Sequence, residues 1–267
     1  MSCMDSYADW KVVAIPHPTS LRSATFLPGE GFGAAAPENH LSLFFVLCYT
    51  IANEVKTMKN CIIFCAAGFT GLAQEIEKDD FVIAADGGVR HVESLGIPAD
   101  VILGDFDSLG FTPEGANVFP VEKDDTDAML AVRRGLAEGC DTFYLYGALD
   151  GPRLDHTIAN FQTLQYLADH GASGYLIGKD FMLTVLKNGS LSFPETCTGT
   201  VSVFCLGADA KGVTLKGLHY PLEDGTLTAG FPLGVSNHFT GKKAEVSVAD
   251  GSLLILWDRA NGFPKKV

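Results

Sequence analysis

Two aspartates, one residue apart, follow a short apolar run in the stretch VILGDFDSLG, residues 101–110. Asp105 comes directly after Gly104, and Asp107 follows one residue later, after Phe106. On an extended chain, residues two positions apart point to the same side, so we expect their carboxylates to lie together and repel each other. A turn or helix-capping role explains one aspartate at a strand end more readily than two. A divalent cation would relieve the repulsion, and Mg²⁺ is typically held by one or two carboxylates together with substrate phosphates.

A second charged cluster is EKDDTDA, residues 122–128, at the start of a predicted helix. The helix dipole alone would favour acidic residues there, so a solvated helix start is the simpler interpretation of this stretch in isolation. A helix start also offers free backbone amides to a phosphate, with Lys123 and Thr126 beside them, and Asp127 could complete a metal site.

A third cluster is GALDGPRLDHTIAN, residues 147–160, where a glycine-rich loop leaves an apolar run and enters a helix. Its arginine, Arg153, suits forked contacts with phosphate oxygens. Asp155 and His156 follow in the first helical turn, where a histidine without any catalytic role is an equally good interpretation.

A fourth piece is ADGG, residues 85–88, in which Asp86 and Gly87 follow another apolar run. Glycines at such a place allow a backbone to approach a ligand closely. The sequence contains no GxxxxGK[ST] loop, no GxGxxG, no GxSxG and no zinc-ligand spacing. Several carboxylates beside a lysine, an arginine and glycine-rich loops therefore indicate metal-assisted phosphoryl transfer.

The elements that must position these clusters alternate regularly from Cys61 onward. Short apolar runs without inside/outside alternation predict strands buried on both faces, and the stretches between them predict helices. The predicted strands are CIIFCAAG, FVIAADGG, DVILGDFDS, TFYLYGA and GYLIGK, and the predicted helices are GLAQEIEK, VRHVESLG, TDAMLAVRRGLAEG and LDHTIANFQTLQYLADHG. This order predicts a parallel sheet, whose ligands bind beyond the carboxyl ends of the strands.

After about residue 182 the pattern changes to alternating strands with turn signals at Asp224-Gly225 and Asp250-Gly251. The predicted fold class is therefore α/β, with a parallel, Rossmann-like domain over residues 58–182 followed by an antiparallel β-sandwich over 183–267. Residues 1–57 lack a sustained period and are broken by Pro and Gly, so we expect a poorly ordered extension, with Met58 as a natural chain start.

Composition limits the possible partners. The net charge of −13 over 267 residues argues against nucleic acid and against an anionic membrane surface. The apolar stretch LSLFFVLCYTIA, residues 41–52, is too short to span a bilayer. Seven cysteines without a metal-ligand spacing fit buried thiols in a reducing cytoplasm.

Four motifs occur in the order and at the separations seen in thiamine pyrophosphokinases, and the chain resembles that family from Met58 to about Leu256. They are AADGGVRHVESLGIPADVILGDFDS, VEKDDTDAMLA, GALDGPRLDH and GVSNHF. The resemblance implies an α/β domain followed by a β-sandwich, in a homodimer whose active sites lie where both domains and both subunits meet. It implies transfer of pyrophosphate from ATP to the hydroxyl of thiamine, with Mg²⁺, giving thiamine diphosphate and AMP.

The resemblance also implies roles for individual residues. The catalytic and metal-binding carboxylates would be Asp105, Asp107 and Asp127. The ATP site would be lined by Asp86, Gly87, Lys123, Thr126, Arg153, Asp155 and His156, and thiamine would contact Ser236 and Asn237.

Two other functions fit parts of the sequence. A phosphohydrolase could use Asp105 as a covalent nucleophile, although its DxD motif would normally close the first strand and here closes the third. A nucleotide- or thiamine-binding protein without turnover is the second alternative, and the intact set of carboxylates argues against it.

Overall fold

The computed structural model describes residues 59–107 and 109–267. The predicted N-terminal extension, residues 1–57, and the apolar stretch within it lie outside the described residues, so those expectations stay predictions. The five cysteines within the described ranges are all free, and four of them are buried.

Parallel strands form the first part of the sheet, in the order β6-β5-β1-β2-β3-β4. Alternate residues of β1 are buried in two different clusters, Ile62 and Phe64 in one and Cys61 and Ile63 in the other, so both faces of the strand are covered. This is why its sequence lacks polar alternation. The strands are β1 Asn60–Phe64, β2 Phe81–Ala85, β3 Val101–Gly104, β4 Asn117–Val118, β5 Thr142–Tyr146 and β6 Ser173–Ile177.

Three α-helices connect these strands: α1 Val89–Leu95, α2 Asp127–Ala137 and α3 Leu154–Asp169. Each was predicted from the sequence. Helix α2 begins where its capping signal indicates, because the Thr126 hydroxyl oxygen accepts a hydrogen bond from the Met129 N–H at 3.2 Å. No helix within the described ranges is long and apolar enough to cross a bilayer.

The predicted helix GLAQEIEK, residues 71–78, is wrong. The segment has no helical structure, although Phe69, Leu72, Ala73 and Ile76 pack against the core at helix-like spacing. The Ala73 N–H donates to the hydroxyl oxygen of Tyr146 at 3.1 Å instead of to a helical carbonyl. A tertiary hydrogen bond has replaced the local one, which the spacing of apolar residues alone does not reveal.

The second part of the sheet is antiparallel, and two long strands hold it together. Strand β12 pairs with β7 along most of its length, while its C-terminal part also pairs with β8 and its N-terminal part with β9. Beyond β12 the sheet therefore continues both through β9 to β10 and through β8 to β11, and this antiparallel part after the parallel strands confirms the predicted fold class. The strands are β7 Phe181–Phe193, β8 Thr200–Cys205, β9 Ala210–Lys216, β10 Leu222–Leu227, β11 Gly234–His238, β12 Ala244–Asp258 and β13 Lys265–Lys266.

The two turn signals mark irregular positions inside strands and not the ends of hairpins. Asp224 has a φ of 46° and lies within β10, where the register against β9 shifts on either side of Gly225. The register of β12 against β7 shifts between Val248 and Ser252, around Asp250-Gly251. The same residue types that suit a tight turn also suit a β-bulge, which bends a strand without ending it.

Strand β7 crosses the predicted boundary between residues 182 and 183. It pairs with β6 through residues 182–184 and with β12 over almost its whole length. Residues of both predicted domains therefore share one hydrogen-bonded strand.

Candidate active site

Three carboxylates converge at the carboxyl ends of neighbouring strands. One oxygen each from Asp86, Asp105 and Asp107 lies within 4.8 Å of the others. Asp86 opens a single 3-10 turn directly after β2, and the other two aspartates follow β3. Since β2 and β3 pair in parallel, the two strand ends deliver their acidic residues to the same edge.

The chain between Asp105 and Asp107 turns sharply, contrary to the extended geometry expected from the sequence. Strand β3 ends at Gly104, and Phe106 has a φ of 58°, in the left-handed region that a bulky residue rarely adopts. The Phe106 side chain is 3% exposed, so its burial in the core fixes the turn. The Asp107 N–H donates to Asp105 Oδ1 at 3.3 Å, which holds the two residues together across the turn.

Gly104 permits the close approach of the Asp86 turn. It has a φ of 148°, and a Cβ at this position would lie 3.0 Å from both the Cα and the backbone nitrogen of Asp86. A larger residue would therefore push the Asp86 turn away from β3 or be strained itself.

Lys123 lies between two of the predicted carboxylates. Its Nζ is 3.0 Å from Asp105 Oδ2 and 2.8 Å from Asp127 Oδ1, and its side chain is only 8% exposed. The ammonium group therefore partly neutralises the acidic cluster from a position that water barely reaches.

The pKa values of these three groups reflect burial and pairing together. Burial opposes the charge of Asp105, but hydrogen bonds from Lys123 and from the Asp107 N–H lower its pKa below the ordinary value. Burial raises the pKa of Asp127, and Lys123 offsets only part of that effect. Burial also acts to lower the pKa of Lys123, but its pairing with Asp127 and Asp105 raises it overall.

The residue that joins Asp105 and Asp107 within ligand distance is Asp86, which the sequence prediction had placed in the ATP site. Asp127, the predicted third metal ligand, is the first residue of α2 and is paired with Lys123. Its role as a ligand stays a prediction. Gly87 is buried in the turn after β2, and the Thr126 hydroxyl caps α2.

Arg153 lies immediately before α3 and pairs with Asp155 in its first turn. The Arg153 Nη2 is 2.6 Å from Asp155 Oδ2, and both side chains are about two-thirds exposed, at 66% and 65%. The pKa of Arg153 is raised, first by its hydrogen bond and ion pair with Asp155 and more weakly by the charge of Asp107. His156 is exposed one residue further along the helix.

Asn160 ends the third sequence cluster, but the sequence prediction assigned no role to it. It is 6% exposed on α3, and its Nδ2 donates to the Ala148 carbonyl oxygen at 2.8 Å. This hydrogen bond ties the loop before Arg153 to the helix after it. The available signal was a polar residue one helical turn after His156, on the same face as that residue.

Ser236 and Asn237 lie on β11, among different neighbours. Ser236 is exposed and has a φ of 57°, and its N–H donates to Ser202 Oγ at 3.0 Å. Asn237 is 2% exposed, and its amide side chain hydrogen-bonds to both the N–H and the carbonyl oxygen of Tyr220. In this structure Asn237 therefore positions Tyr220, whose own side chain is 61% exposed beside His219.

Two family sequence models match this chain. The model described as thiamin pyrophosphokinase, catalytic domain, matches residues 72–176, and the model described as thiamin pyrophosphokinase, vitamin B1 binding domain, matches residues 190–253. The first range contains the acidic cluster with Lys123 and Arg153, and the second contains β11.

Individual proteins agree with these matches. The thiamine pyrophosphokinase of Bacillus subtilis is 27% identical in an alignment 183 residues long, which covers 65% of this chain and 85% of that protein. A crystal structure of the thiamine pyrophosphokinase from Bacillus subtilis superposes with a TM-score of 0.65 at 25% identity, covering 74% of this chain and 97% of that one. The yeast thiamin pyrophosphokinase structure shares the fold, with a TM-score of 0.58 at 14% identity over 80% of this chain and 91% of that one. Since the two matched ranges together cover more than half of the sequence, the chain belongs to the thiamin pyrophosphokinase family.

Proposed function

We propose that this member of the family transfers pyrophosphate from ATP to the hydroxyl of thiamine, forming thiamine diphosphate and AMP. The convergence of Asp86, Asp105 and Asp107 beside the buried Lys123 carries the proposal. A polyphosphate is anionic, and this edge of the sheet holds more carboxylates than cationic groups. ATP can therefore bind here only together with a cation that offsets the repulsion between its phosphates and the carboxylates.

The three carboxylates fit Mg²⁺. Oxygen ligands about 2.1 Å from an octahedral Mg²⁺ lie roughly 3 to 4 Å from each other, and the oxygens here lie within 4.8 Å before any adjustment. When bound, the ion would neutralise phosphate charge as it develops and align the polyphosphate. We propose that Asp86, Asp105 and Asp107 hold it.

The chain's own cationic groups would handle the phosphates. Lys123 is kept charged by Asp105 and Asp127, so it can contact a phosphate oxygen on the side of the cluster where α2 begins. Arg153 is exposed before α3 and can turn from Asp155 towards a phosphate. Attack at the β-phosphorus spreads negative charge over its oxygens, so aligned donors stabilise the transition state more than the ground state.

We propose that thiamine contacts the exposed surface of β11 through Ser236 and the ring of Tyr220. An aminopyrimidine needs hydrogen-bonding partners, and a cationic thiazolium ring favours aromatic neighbours. The variant Ser236→Ala should raise the KM for thiamine several-fold while the KM for ATP changes less. Equal changes in both constants would argue against this placement.

We propose a homodimer, supported by the exposed apolar side chains of Phe231, Leu233 and Val235, which are 64%, 56% and 43% exposed. Within the described chain β8 is the one strand that pairs with β11. The His219 N–H donates to the His238 carbonyl oxygen at the C-terminal end of β11, so its second edge lacks a strand partner over residues 234–236. Light scattering on the purified protein should give twice the chain mass, and Leu233→Asp should shift it towards the monomer. A monomeric wild-type protein would contradict the dimer. A cytoplasmic location, which free cysteines support, belongs to the same proposal.

The deciding experiment incubates the protein with thiamine, ATP and Mg²⁺ and quantifies AMP and thiamine diphosphate. AMP release that requires both thiamine and the metal supports the proposal, and a lack of thiamine diphosphate contradicts it. The same reaction with labelled ATP tests the phosphohydrolase alternative, because a trapped aspartyl-phosphate on Asp105 would favour that mechanism instead.

A further inference from the structure

Arg259 holds together segments that are far apart in the sequence. It follows β12 directly, and its guanidinium donates to Thr70 Oγ1 at 2.8 Å, to the Gly178 carbonyl oxygen at 3.0 Å and to the Gly71 carbonyl oxygen at 2.7 Å. Neither Arg259 nor residues 59–71 lie in the ranges that the family models match.

Arg259 holds residues 66–71, a segment that follows β1. This segment lies between the loop that begins at Gly147 and helix α1, two elements next to the proposed nucleotide site. The Ala67 N–H donates to the Gly147 carbonyl oxygen at 2.9 Å, and the Ala67 carbonyl oxygen lies 2.9 Å from Nε2 of His91 on α1. Gly147 opens the loop that leads to Arg153, and α1 continues from the turn of Asp86 and Gly87. Residues 66–71 therefore lie at the strand-end edge where the polyphosphate is proposed to bind.

Contacts with other parts of the chain determine the backbone conformation of this segment. It has no helix or strand of its own, so its backbone conformation depends on groups from other parts of the chain. Ala67 fixes one end and Arg259 fixes the other, at Thr70 and Gly71. The fork of the guanidinium matters, because Arg259 donates from two separate nitrogens, whereas the three donors of a lysine share one nitrogen and lack that fixed spacing.

We infer that Arg259 is a positioning residue for the nucleotide: it fixes residues 66–71 at the edge of the ATP site and so sets the affinity for ATP but not for thiamine. The inference rests on the proposed function for its kinetic consequence. Its structural consequence, a fixed segment 66–71, can be measured without turnover.

The test compares Arg259→Gln and Arg259→Lys with Arg134→Gln, a matched control whose arginine pairs with Glu138 on the surface of α2. Hydrogen exchange of the substrate-free protein should speed up at residues 68–73 in Arg259→Gln and stay unchanged in the control. The KM for ATP should rise about tenfold in Arg259→Gln and less in Arg259→Lys, with the KM for thiamine within twofold of wild type.

Each outcome of this test supports or contradicts the inference about Arg259. Unchanged exchange at residues 68–73 in a folded Arg259→Gln protein would contradict the inference that Arg259 fixes this segment. Equal increases in both KM values would reduce Arg259 to a general structural role. If the wild-type protein produced no thiamine diphosphate, the proposed function would fail on its own. Calorimetric binding of Mg·ATP would then take the place of the KM, and equal affinities of wild type and Arg259→Gln would contradict the inference.

Discussion

At the scale of single residues, the acidic cluster is balanced by one ammonium group. Lys123 pairs with Asp105 and Asp127 at the same time, whereas Asp86 and Asp107 complete the cluster beside it. The three aspartates closest to each other repel when all are ionised. Such an arrangement suits cation binding better than it suits stability, and the two properties can be separated by substitution.

Asp107→Asn tests this separation. Removing an exposed carboxylate from the cluster should lower the rate of AMP formation by at least about 100-fold, since even the outer partners of metal ligands contribute 10- to 100-fold. The melting temperature should stay the same or rise, because a repulsion is removed. Rates and thermal unfolding measure the two effects, with Asp79→Asn as a control at an exposed aspartate outside the cluster. Unchanged turnover in Asp107→Asn would contradict its assignment to the metal.

The lowered pKa of Asp105 predicts a pH dependence of stability. An unfolded chain binds a proton at Asp105 near pH 3.9, whereas the folded protein binds it only at lower pH. The stabilising contribution of this group is therefore complete above the unfolded pKa and is lost as the pH falls through the folded pKa. In urea titrations, the stability difference between wild type and Asp105→Asn should shrink from pH 6 to pH 3. A difference that does not change with pH would contradict the ion pair with Lys123.

At the scale of elements, the site depends on how closely the turn after β2 approaches the end of β3. Gly104 allows this approach, and the buried ring of Phe106 fixes the turn that follows. The ends of β2 and β3 thus bring three carboxylates together because of two backbone conformations. Gly104 has a positive φ that is available mainly to glycine, and Phe106 has a positive φ that is unusual for a bulky residue.

Gly104→Ala should displace Asp86. The added Cβ would lie 3.0 Å from the Asp86 backbone, and the positive φ adds strain, so we expect a loss of about 1–3 kcal/mol in stability together with weaker Mn²⁺ binding. Gly207→Ala is the matched control, because Gly207 also has a positive φ of 82° but no atom within 4 Å of the added Cβ. The control should lose stability and keep its Mn²⁺ affinity. Equal Mn²⁺ affinities in both variants would show that the close approach does not matter.

Five of the six strands of the parallel part could be predicted from the sequence, because burial on both faces leaves a continuous apolar run. Strand β4 was not predicted, since its two residues are exposed and form no such run. The structure of residues 71–78 could not be predicted, since their apolar spacing is helical but a hydrogen bond from Ala73 to Tyr146 replaces the helical one. Local patterns carry no information about partners that are 73 residues away.

The candidate site was also predictable from the sequence only in part. The pair Asp105 and Asp107 was visible as a spacing, whereas the place of Asp86 beside it depends on the pairing of β2 with β3 and on Gly104. The internal hydrogen bonds of Asn237 were also hidden, because a polar residue on a strand looks the same whether it faces a ligand or a neighbouring loop.

At the scale of the whole molecule, β7 links the parallel and antiparallel parts. It pairs with β6 on one side and with β12 on the other, so no loop separates the two parts at this strand. The predicted domains therefore share backbone hydrogen bonds, and neither can open at this point without breaking them.

We expect the described part of the chain to unfold in a single transition. Trp257 is fully buried in β12, and in a Trp10→Phe background it would report on the packing around that strand, which includes the ring of Tyr175 on β6. Its fluorescence and the far-ultraviolet circular dichroism should give the same midpoint in urea. Mg·ATP at 100 times its Kd should raise the free energy of unfolding seen by both probes by about 2.7 kcal/mol. Two separated transitions would contradict the shared strand.

The position of β12 along the chain also has a consequence for synthesis. Strands β7, β8 and β9 all pair with β12, and all of them are made before it. On the ribosome, the parallel strands can pair early, whereas β7, β8 and β9 cannot pair with β12 until that strand has emerged. Arg259 emerges directly after that strand, so the ordering of residues 66–71 comes late. A nascent chain should therefore form its proposed cation site before it reaches its full affinity for ATP.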